Sequence, residues 1–482
     1  MSVKVFIPTP LRPYTDKQDM VEVEGETVEE ILKNLTLKYH PLQQHLFSEN
    51  GILRSYVNIY VNDQDIRYLS KEKTHVQGTD TISIIPSIAG GIDETGVEVT
   101  RQLKLSREEI LRYSRHLIIP EVGMEGQRKL KNSRVLLIGA GGLGSPLALY
   151  LSAAGIGTIG IVDFDSVDVT NLQRQVIHSI DDIGRPKLES ARKAIQHLNP
   201  NVEVISYPVR LSSENALDIF QDYDVVIDGT DNFPARYLVN DACVLLGKPL
   251  VYGSIFRFDG QVTVFDAARG PCYRCLYPTP PPPGLVPSCA EGGVLGVLPG
   301  IIGTLQALET IKLILGKGDS LFGRLVLFDA MKFSFREFQL KKNPDCPMCS
   351  ATPTIHNLID YEQFCGIDSR ENNGQHQSDD QISVEELKAY LHRGDDIFLL
   401  DVREPHEYEI ANLGGILIPL GELQERLSEI DQVRDIVVHC KSGARSAQAV
   451  KMLKKIGFTK VKNLIGGIDA WSERIDPEIP RY

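Results

Sequence analysis

The sequence is poor in cysteine and tryptophan, and it lacks an excess of positive charge. Its 482 residues include eight cysteines and one tryptophan, and so few cysteines exclude a disulfide scaffold. Lys and Arg total 51 against 64 Asp and Glu, which gives a net charge of -13. An acidic surface repels a polyphosphate backbone, so we expect no direct nucleic-acid partner.

The sequence also lacks an evident targeting or membrane-spanning segment. Residues 1–8 contain no apolar run after a charged start, so we expect no signal peptide and a cytoplasmic location. The most apolar stretch, residues 292–308, contains glycines, a proline and polar residues, and Glu309 and Lys312 follow at once. We interpret it as a buried helix rather than a membrane span, and we expect no membrane partner.

Pattern changes divide the chain into about three domains, as its length suggests. Residues 1–91 combine alternating strands with one amphipathic helix, which predicts a small α+β roll. Residues 105–350 alternate strands with helices and predict a doubly wound, Rossmann-like parallel sheet. Residues 381–482 alternate again and predict a third, α/β domain. The polar segments 92–104 and 368–380 are predicted linkers.

A glycine-rich loop, Gly139-Ala-Gly-Gly-Leu-Gly144, follows a predicted buried strand and opens a helix. Its candidate cofactor-binding glycines are Gly139, Gly141, Gly142 and Gly144. Such glycines let a phosphate approach the backbone amides at a helix N-terminus. Asp163 ends the next strand, where a carboxylate can accept a ribose hydroxyl. By itself this pattern is typical of a dinucleotide site, such as that of a dehydrogenase.

The polar residues after this loop favour a nucleoside triphosphate instead. Asn171, Arg174 and Lys187 place an amide and two cations within one loop and the next helix. A departing pyrophosphate needs that positive charge, whereas hydride transfer does not. Asp231 ends another strand at the same edge of the sheet, where it can hold Mg²⁺. The alternative for each cation is an ordinary solvated helix face.

Together these motifs resemble the ThiF/MoeB adenylyltransferases, relatives of ubiquitin-activating enzymes. The resemblance covers nearly all of residues 105–350 and rests on the segments 111–115, 139–144, 163–165, 171–174, 184–187 and 230–232. It implies ATP and Mg²⁺ at a nucleotide site formed by Gly142, Asp163, Asn171, Arg174, Lys187, Asp231 and Asn232. It also implies a homodimer in which Arg115 reaches the site of the other subunit.

Two Cys-x-x-Cys pairs indicate a metal site. Cys272 and Cys275 form the first pair, and Cys346 and Cys349 form the second. Zn²⁺ takes four soft ligands tetrahedrally, and a set of four thiolates leaves no open position. We therefore expect a structural zinc ion, which the resemblance also implies. A redox dithiol is the alternative, although it would need only one pair.

Cys289 lies in a polar loop ahead of the predicted buried helix. A lone cysteine is more often an inert core residue, but a polar loop at a helix start lowers the pKa of a thiol. Its position also matches the cysteine with which some relatives form a thioester to the activated carrier. Both interpretations stay open.

Cys440 begins the loop Cys440-Lys-Ser-Gly-Ala-Arg445 between a strand and a helix. Successive amides at a helix N-terminus stabilise a thiolate or persulfide, and Arg445 is expected to close this cradle. With the segment 401–408, the loop resembles a rhodanese (sulfurtransferase) domain over residues 381–482. This implies a sulfane sulfur donor such as a cysteine desulfurase or thiosulfate. The alternative is a non-catalytic rhodanese-like module.

The first domain ends in Gly90-Gly91, and a side chain there would block a narrow adenylation site. Residues 1–91 resemble the ubiquitin-like sulfur carriers of the MoaD/ThiS group, closest to the CysO carriers. Because Ile92 follows, the Gly91 carboxyl group is in a peptide bond. Either a protease frees it, or this domain docks or regulates while separate carriers are the substrates.

These parts predict an adenylyltransferase and sulfurtransferase. ATP adenylates the terminal glycine of a MoaD/ThiS/CysO-like carrier, and a Cys440 persulfide then delivers sulfur to give a thiocarboxylate, directly or through Cys289. The alternatives are an NAD-dependent oxidoreductase with a sulfur-sensing module and a non-catalytic scaffold. The served pathway stays open among molybdopterin, thiamin, cysteine and tRNA thiolation.

Overall fold

The computed structural model describes residues 2–48, 51–54, 57–62, 64–86, 104–282, 292–366 and 380–482. The chain divides into two compact units, residues 1–100 and residues 101–482. Gly90, Gly91 and Cys289 lie outside the described residues.

The first unit is a five-stranded sheet with a helix across one face. The strand order is β2-β1-β5-β3-β4, with β1 and β5 parallel and the other neighbours antiparallel. The strands are β1 Ser2–Phe6, β2 Met20–Glu24, β3 Val57–Val61, β4 Gln64–Asp65 and β5 Thr81–Pro86. The helices are Val28–Lys38 and Gln43–Leu46, with 3₁₀ turns at Thr9–Tyr14, His40–Leu42, Ile66–Tyr68 and Lys71–Lys73. Alternating strand residues and the buried face of Val28–Lys38 form one core.

The second unit begins with an eight-stranded sheet in the order β13-β12-β11-β10-β9-β6-β7-β8. Its strands are β6 Arg134–Ile138, β7 Thr158–Val162, β8 Glu203–Tyr207, β9 Val225–Asp228, β10 Leu250–Phe256, β11 Asp259–Phe265, β12 Arg324–Asp329 and β13 Ser334–Gln339. The five strands from β10 to β8 are parallel, as expected for a Rossmann-like unit. The strands β11, β12 and β13 extend the sheet by antiparallel pairing, which the sequence patterns did not predict.

Helices cover both faces of this sheet, as its buried strands require. They are Arg107–Arg112, Ser114–Leu117, Gly123–Asn132, Gly144–Ala154, Lys187–Leu198, Ala216–Phe220, Phe233–Leu246, Tyr273–Leu276, Val297–Leu315 and Tyr361–Phe364, with 3₁₀ turns at Val169–Asn171 and Ile180–Asp182. Among the described residues, Val297–Leu315 is the one helix long and apolar enough to cross a membrane by composition. Its inner residues, including Leu298 and Ile302, belong to the domain core.

A second parallel sheet forms from residues after 380, in the order β14-β18-β17-β15-β16. Its strands are β14 Gln381–Ile382, β15 Ile397–Asp401, β16 Ile416–Leu417, β17 Asp435–His439 and β18 Val461–Leu464. The helices are Val384–Arg393, Pro405–Ile410, Ala444–Lys455 and Gly467–Arg474, with 3₁₀ turns at Leu420–Glu422 and Leu427–Glu429. The α/β fold class is therefore confirmed. The exact domain boundaries at 91, 105, 350 and 381 stay predictions.

Candidate functional site

The glycine-rich loop turns tightly between β6 and the helix Gly144–Ala154. Gly139 has a φ of +99°, which favours glycine. A Cβ atom on Gly144 would lie 2.1 Å from the carbonyl oxygen of Gly139. Gly144 is therefore required for the close packing of the loop itself, while Gly141 and Gly142 face the cavity beside it.

Asp163 follows β7 and holds the loop from the side. Its Oδ2 accepts a hydrogen bond from the backbone amide of Ala140 at 2.8 Å, and its Oδ1 accepts one from Asp165 at 2.9 Å. The carboxylate is half-buried at the cavity edge. Each oxygen keeps a lone pair, so the group can still accept a ribose hydroxyl.

One cavity of about 1140 Å³ brings most of the predicted nucleotide-site residues together. Those that line it are Gly139, Gly141, Gly142, Asp163, Arg174, Lys187, Asp231 and Asn232. Lys187 is buried and pairs with Asp165 at 2.8 Å, and Arg174 donates to the carbonyl oxygen of Thr170 at 3.0 Å. The cavity thus combines the glycine loop with the cations of Arg174 and Lys187 and with carboxylates, the groups that a magnesium-bound nucleoside triphosphate needs.

The donor set suits a magnesium ion at Asp231. This carboxylate is exposed in the cavity, and its Oδ1 contacts the side-chain amide of Asn232 at 3.4 Å. Asn232 also caps the helix Phe233–Leu246 by accepting from the amide of Ala235 at 3.0 Å. An exposed carboxylate suits Mg²⁺, which binds one or two carboxylates together with water and substrate phosphates.

Three predicted residues are not among the described residues that line this cavity: Gly144, Asn171 and Arg115. The Asn171 side chain accepts from the amide of Asp168 at 3.1 Å, and its backbone oxygen accepts from the amide of Arg174. In this chain conformation it shapes the loop that presents Arg174. Arg115 is exposed in the short helix Ser114–Leu117, so its role toward a second subunit stays a prediction.

The sequence patterns missed two buried residues behind the loop. His178 donates from Nε2 to the carbonyl oxygen of Ala140 at 3.2 Å, and its Nδ1 lies 2.8 Å from Ser190 Oγ. Burial lowers the pKa of His178, which keeps the ring neutral. Gln175 lines the cavity at 4% exposure, and its Oε1 has no hydrogen-bond partner among the described residues. In the sequence, only the position of Gln175 directly after Arg174 could have indicated that its side chain reaches the cavity.

The four cysteines of the two pairs lie together. Sγ–Sγ distances are 4.0 Å for Cys272–Cys275, 3.6 Å for Cys272–Cys346 and 3.3 Å for Cys275–Cys349, and all four sulfurs lie within 4.8 Å of one another. A tetrahedral zinc site with Zn–S bonds of about 2.3 Å requires about 3.8 Å between sulfurs. The cluster therefore fits zinc, and none of the four is in a disulfide.

The loop after β17 surrounds the Cys440 sulfur with donors. Cys440 is 1% exposed, and its Sγ accepts hydrogen bonds from Gly443 N at 3.1 Å and from Ser446 Oγ at 3.3 Å. The helix begins at Ala444, so its positive end faces the sulfur. Both donors would also be in place for the sulfur of a persulfide.

Arg445 points toward an acidic partner. Its guanidinium donates to both carboxylate oxygens of Glu407, at 2.6 and 2.7 Å. Burial opposes ionisation of Glu407, but these bonds prevail and hold its pKa below the usual value. Arg445 thus anchors the loop to the helix Pro405–Ile410, and its closing over a persulfide stays a prediction.

Comparisons with known proteins agree with this arrangement. The ThiS family matches residues 5–91, the ThiF family residues 113–348 and the rhodanese-like domain residues 383–474. The probable adenylyltransferase/sulfurtransferase MoeZ of Mycobacterium tuberculosis is 51% identical over 385 residues, covering 78% of this chain and 96% of the relative. The adenylyltransferase and sulfurtransferase MOCS3 of Aedes aegypti is 45% identical over 394 residues, covering 79% and 90%.

The chain belongs to the MoeZ/MOCS3 family of adenylyltransferase/sulfurtransferases. A crystal structure of E. coli MccB with ATP is 22% identical, with a TM-score of 0.44, and the alignment covers 50% of this chain and 73% of that one. Family membership confirms that the protein is an enzyme that uses ATP, adenylates a ubiquitin-like sulfur carrier and transfers sulfur.

Proposed function

We propose that the cavity beside the glycine loop adenylates the C-terminal glycine of a separate MoaD/ThiS/CysO-like carrier. The observation that carries this is the convergence of Gly142, Asp163, Arg174, Lys187 and Asp231 on one cavity. The carrier carboxylate attacks the α-phosphorus of ATP, and pyrophosphate leaves. Arg174 and Lys187 neutralise the charge that develops on the phosphates. Asp231 would hold Mg²⁺, which supplies further positive charge there.

In the second part of the reaction, Cys440 carries the sulfur. Sulfane sulfur from a cysteine desulfurase or thiosulfate makes Cys440 a persulfide. Its outer sulfur attacks the acyl carbon, and AMP leaves. A thiol reductant then cleaves the sulfur–sulfur bond, which frees Cys440 and releases a carrier thiocarboxylate. Cys289 would form a thioester on the alternative route.

The assembly around these steps is also part of the proposal. Zinc at Cys272, Cys275, Cys346 and Cys349 would hold the end of the domain in place. A homodimer would bring Arg115 of one subunit to the other's cavity. We place the protein in the cytoplasm, where reducing conditions keep thiols unbridged. The segment ending at Gly90 and Gly91 becomes a substrate only after cleavage, and is otherwise a docking element.

The test combines ATP–pyrophosphate exchange with mass spectrometry of candidate carriers. Exchange should require a carrier with a free diglycine end and should fall by orders of magnitude in Asp231→Ala. With the intact enzyme, the terminal carboxylate of the carrier should gain sulfur in place of oxygen. Cys440→Ser should still show ATP–pyrophosphate exchange but no sulfur incorporation. Thiocarboxylate formed by Cys440→Ser at the normal rate would refute the sulfur route. No exchange with any diglycine carrier would refute the adenylation step.

A further inference from the structure

One side of the nucleotide cavity is formed by a segment that follows the second cysteine pair. Residues 358–362 line the cavity and include the start of the short helix Tyr361–Phe364. Asp360 caps this helix by accepting from the amide of Gln363 at 3.0 Å. Leu358 and Ile359 are half-buried and pack against the core of the domain. The segment is therefore a fixed part of the cavity.

Two contacts join this segment to the loop after β8. Ser213 Oγ donates to the carbonyl oxygen of Ile359 at 2.5 Å, and Arg210 donates to Glu362 at 2.6 Å. The loop residues 209–214 line the same cavity. Residues 358–362 therefore form a wall of the cavity over the β8 end of the sheet.

Strand order determines which part of ATP would face this wall. Along the sheet, β9, β6, β7 and β8 are neighbours, and their carboxyl ends carry Asp231, the glycine loop, Asp163 and the 209–214 loop in that order. If phosphates meet the glycine loop and the ribose meets Asp163, the base extends toward β8. Residues 358–362 are then beside the base.

A buried network fixes the wall to the domain. The Tyr361 hydroxyl donates to Asp241 Oδ2 at 2.9 Å, and Arg274 donates to both oxygens of Asp241 at 2.8 Å. Arg274 and Asp241 are 1% and 0% exposed. The guanidinium carbon of Arg274 lies over the face of the Phe364 ring, 4.6 Å from the ring centroid. Since Arg274 stands between Cys272 and Cys275, the cysteine cluster and the wall share one anchor.

We propose that residues 358–362 are the nucleoside wall of the ATP site, with Leu358 and Ile359 in contact with the base and Tyr361 as a positioning residue. The inference rests on the proposed placement of ATP in this cavity. Apolar side chains suit the flat face of a purine, while the glycine loop and the cations bind the phosphates independently of this wall. The wall therefore contributes to nucleoside affinity rather than to phosphate affinity.

The test uses the full-length protein and distinguishes binding of the nucleoside from binding of the phosphates. Binding of ATP is measured by calorimetry, and inorganic tripolyphosphate, which lacks the nucleoside, is measured as a competitor. In the double variant Leu358→Ala/Ile359→Ala, the dissociation constant for ATP should rise about tenfold or more, with that for tripolyphosphate unchanged. Gln363→Ala, on the exposed side of the same helix, is the matched control and should change neither constant.

Tyr361→Phe tests the positioning role. It should raise the KM for ATP about threefold, since a wall released from Asp241 would adopt its binding conformation only about a third of the time, at unchanged kcat and unchanged thiosulfate sulfurtransferase activity. The wall is refuted if the double variant binds ATP normally, or if ATP and tripolyphosphate weaken equally. Wild-type protein that binds neither ligand would instead refute the placement of ATP.

Discussion

Replacing His439 by glutamine should remove an acid-induced loss of stability from the C-terminal domain. His439 ends β17 and is completely buried, with its Nε2 3.7 Å from Asp401 Oδ2. Burial lowers the pKa of His439 from about 6.5 to about 4, although the nearby Asp401 carboxylate acts in the opposite direction. The folded domain therefore holds this ring neutral in mildly acidic solution.

The magnitude follows from proton linkage. Between pH 6.5 and pH 4 the unfolded chain protonates His439 and the folded chain does not, so acid favours unfolding. With these two pKa values, the contribution at pH 5 is a loss of about 2 kcal/mol relative to pH 8. The loss approaches about 3.4 kcal/mol below pH 4, at 1.36 kcal/mol per pKa unit. Above pH 7 the residue contributes no pH dependence.

Urea unfolding followed by tryptophan fluorescence measures this quantity in the full-length protein. Trp471 is the single tryptophan of the chain and is buried in the C-terminal domain, in a cluster with Val437. The difference in unfolding free energy between pH 8 and pH 5 should be about 2 kcal/mol smaller in His439→Gln than in wild type. His392→Gln, which changes an exposed histidine, is the control. Equal pH dependence in wild type and His439→Gln would refute the reasoning.

Three further changes test the packing around the sites. Cys346→Ser should lower the zinc content, measured by plasma mass spectrometry, from about one ion per chain to well below half, because three thiolates bind more weakly than four. Gly467→Ala should destabilise the C-terminal domain by at least about 2 kcal/mol in the fluorescence assay, since Gly467 has a φ of +59° and a Cβ would lie 2.4 Å from the oxygens of Cys440 and Lys441. Asp241→Leu should lower the unfolding free energy of the adenylation domain by about 3–5 kcal/mol by calorimetry, because it leaves Arg274 buried without its carboxylate.

The glycine change has a matched control, and each of the three changes has an outcome that would contradict it. Gly394→Ala has a similar φ of +76° but open space around the site, so it should cost only about 1 kcal/mol. If both glycine variants cost the same, the contact with the Cys440 loop contributes nothing. Unchanged zinc content in Cys346→Ser would show that the four thiols do not bind one ion. Wild-type stability of Asp241→Leu would show that the buried ion pair is dispensable.

Residue spacing predicted the parts of the sites that are encoded in short sequence motifs. The glycine loop and each cysteine pair are short sequence motifs, and Asp163 follows the next strand after that loop, so their placement in the fold could be predicted. Even so, a local pattern can form only in part. Thr27 and Glu30 have the spacing of a helix capping box, but only half of it forms. Thr27 Oγ1 accepts from the amide of Glu30 at 3.3 Å, whereas Glu30 Oε2 accepts from the amide of Glu26.

Contacts between distant residues could not be predicted in the same way. The partner of Arg445 is Glu407, 38 positions earlier, and no spacing rule indicates that pair. The wall segment meets Ser213 across 146 positions. The antiparallel pairing of β10 to β13 escaped prediction because the alternation of strands and helices along the chain does not specify which strands pair or in which direction. Tertiary packing, rather than local propensity, determines all three features.

The cysteine cluster also bears on how the chain reaches its fold. It joins residues 74 positions apart, Cys272 to Cys346 and Cys275 to Cys349. The intervening ring of polypeptide contains the helix Val297–Leu315 and the hairpin of β12 and β13. Closing so long a ring before these elements pack would cost conformational entropy that an ion alone must offset. We therefore expect the metal ion to bind late during folding, after the intervening helix and hairpin have packed.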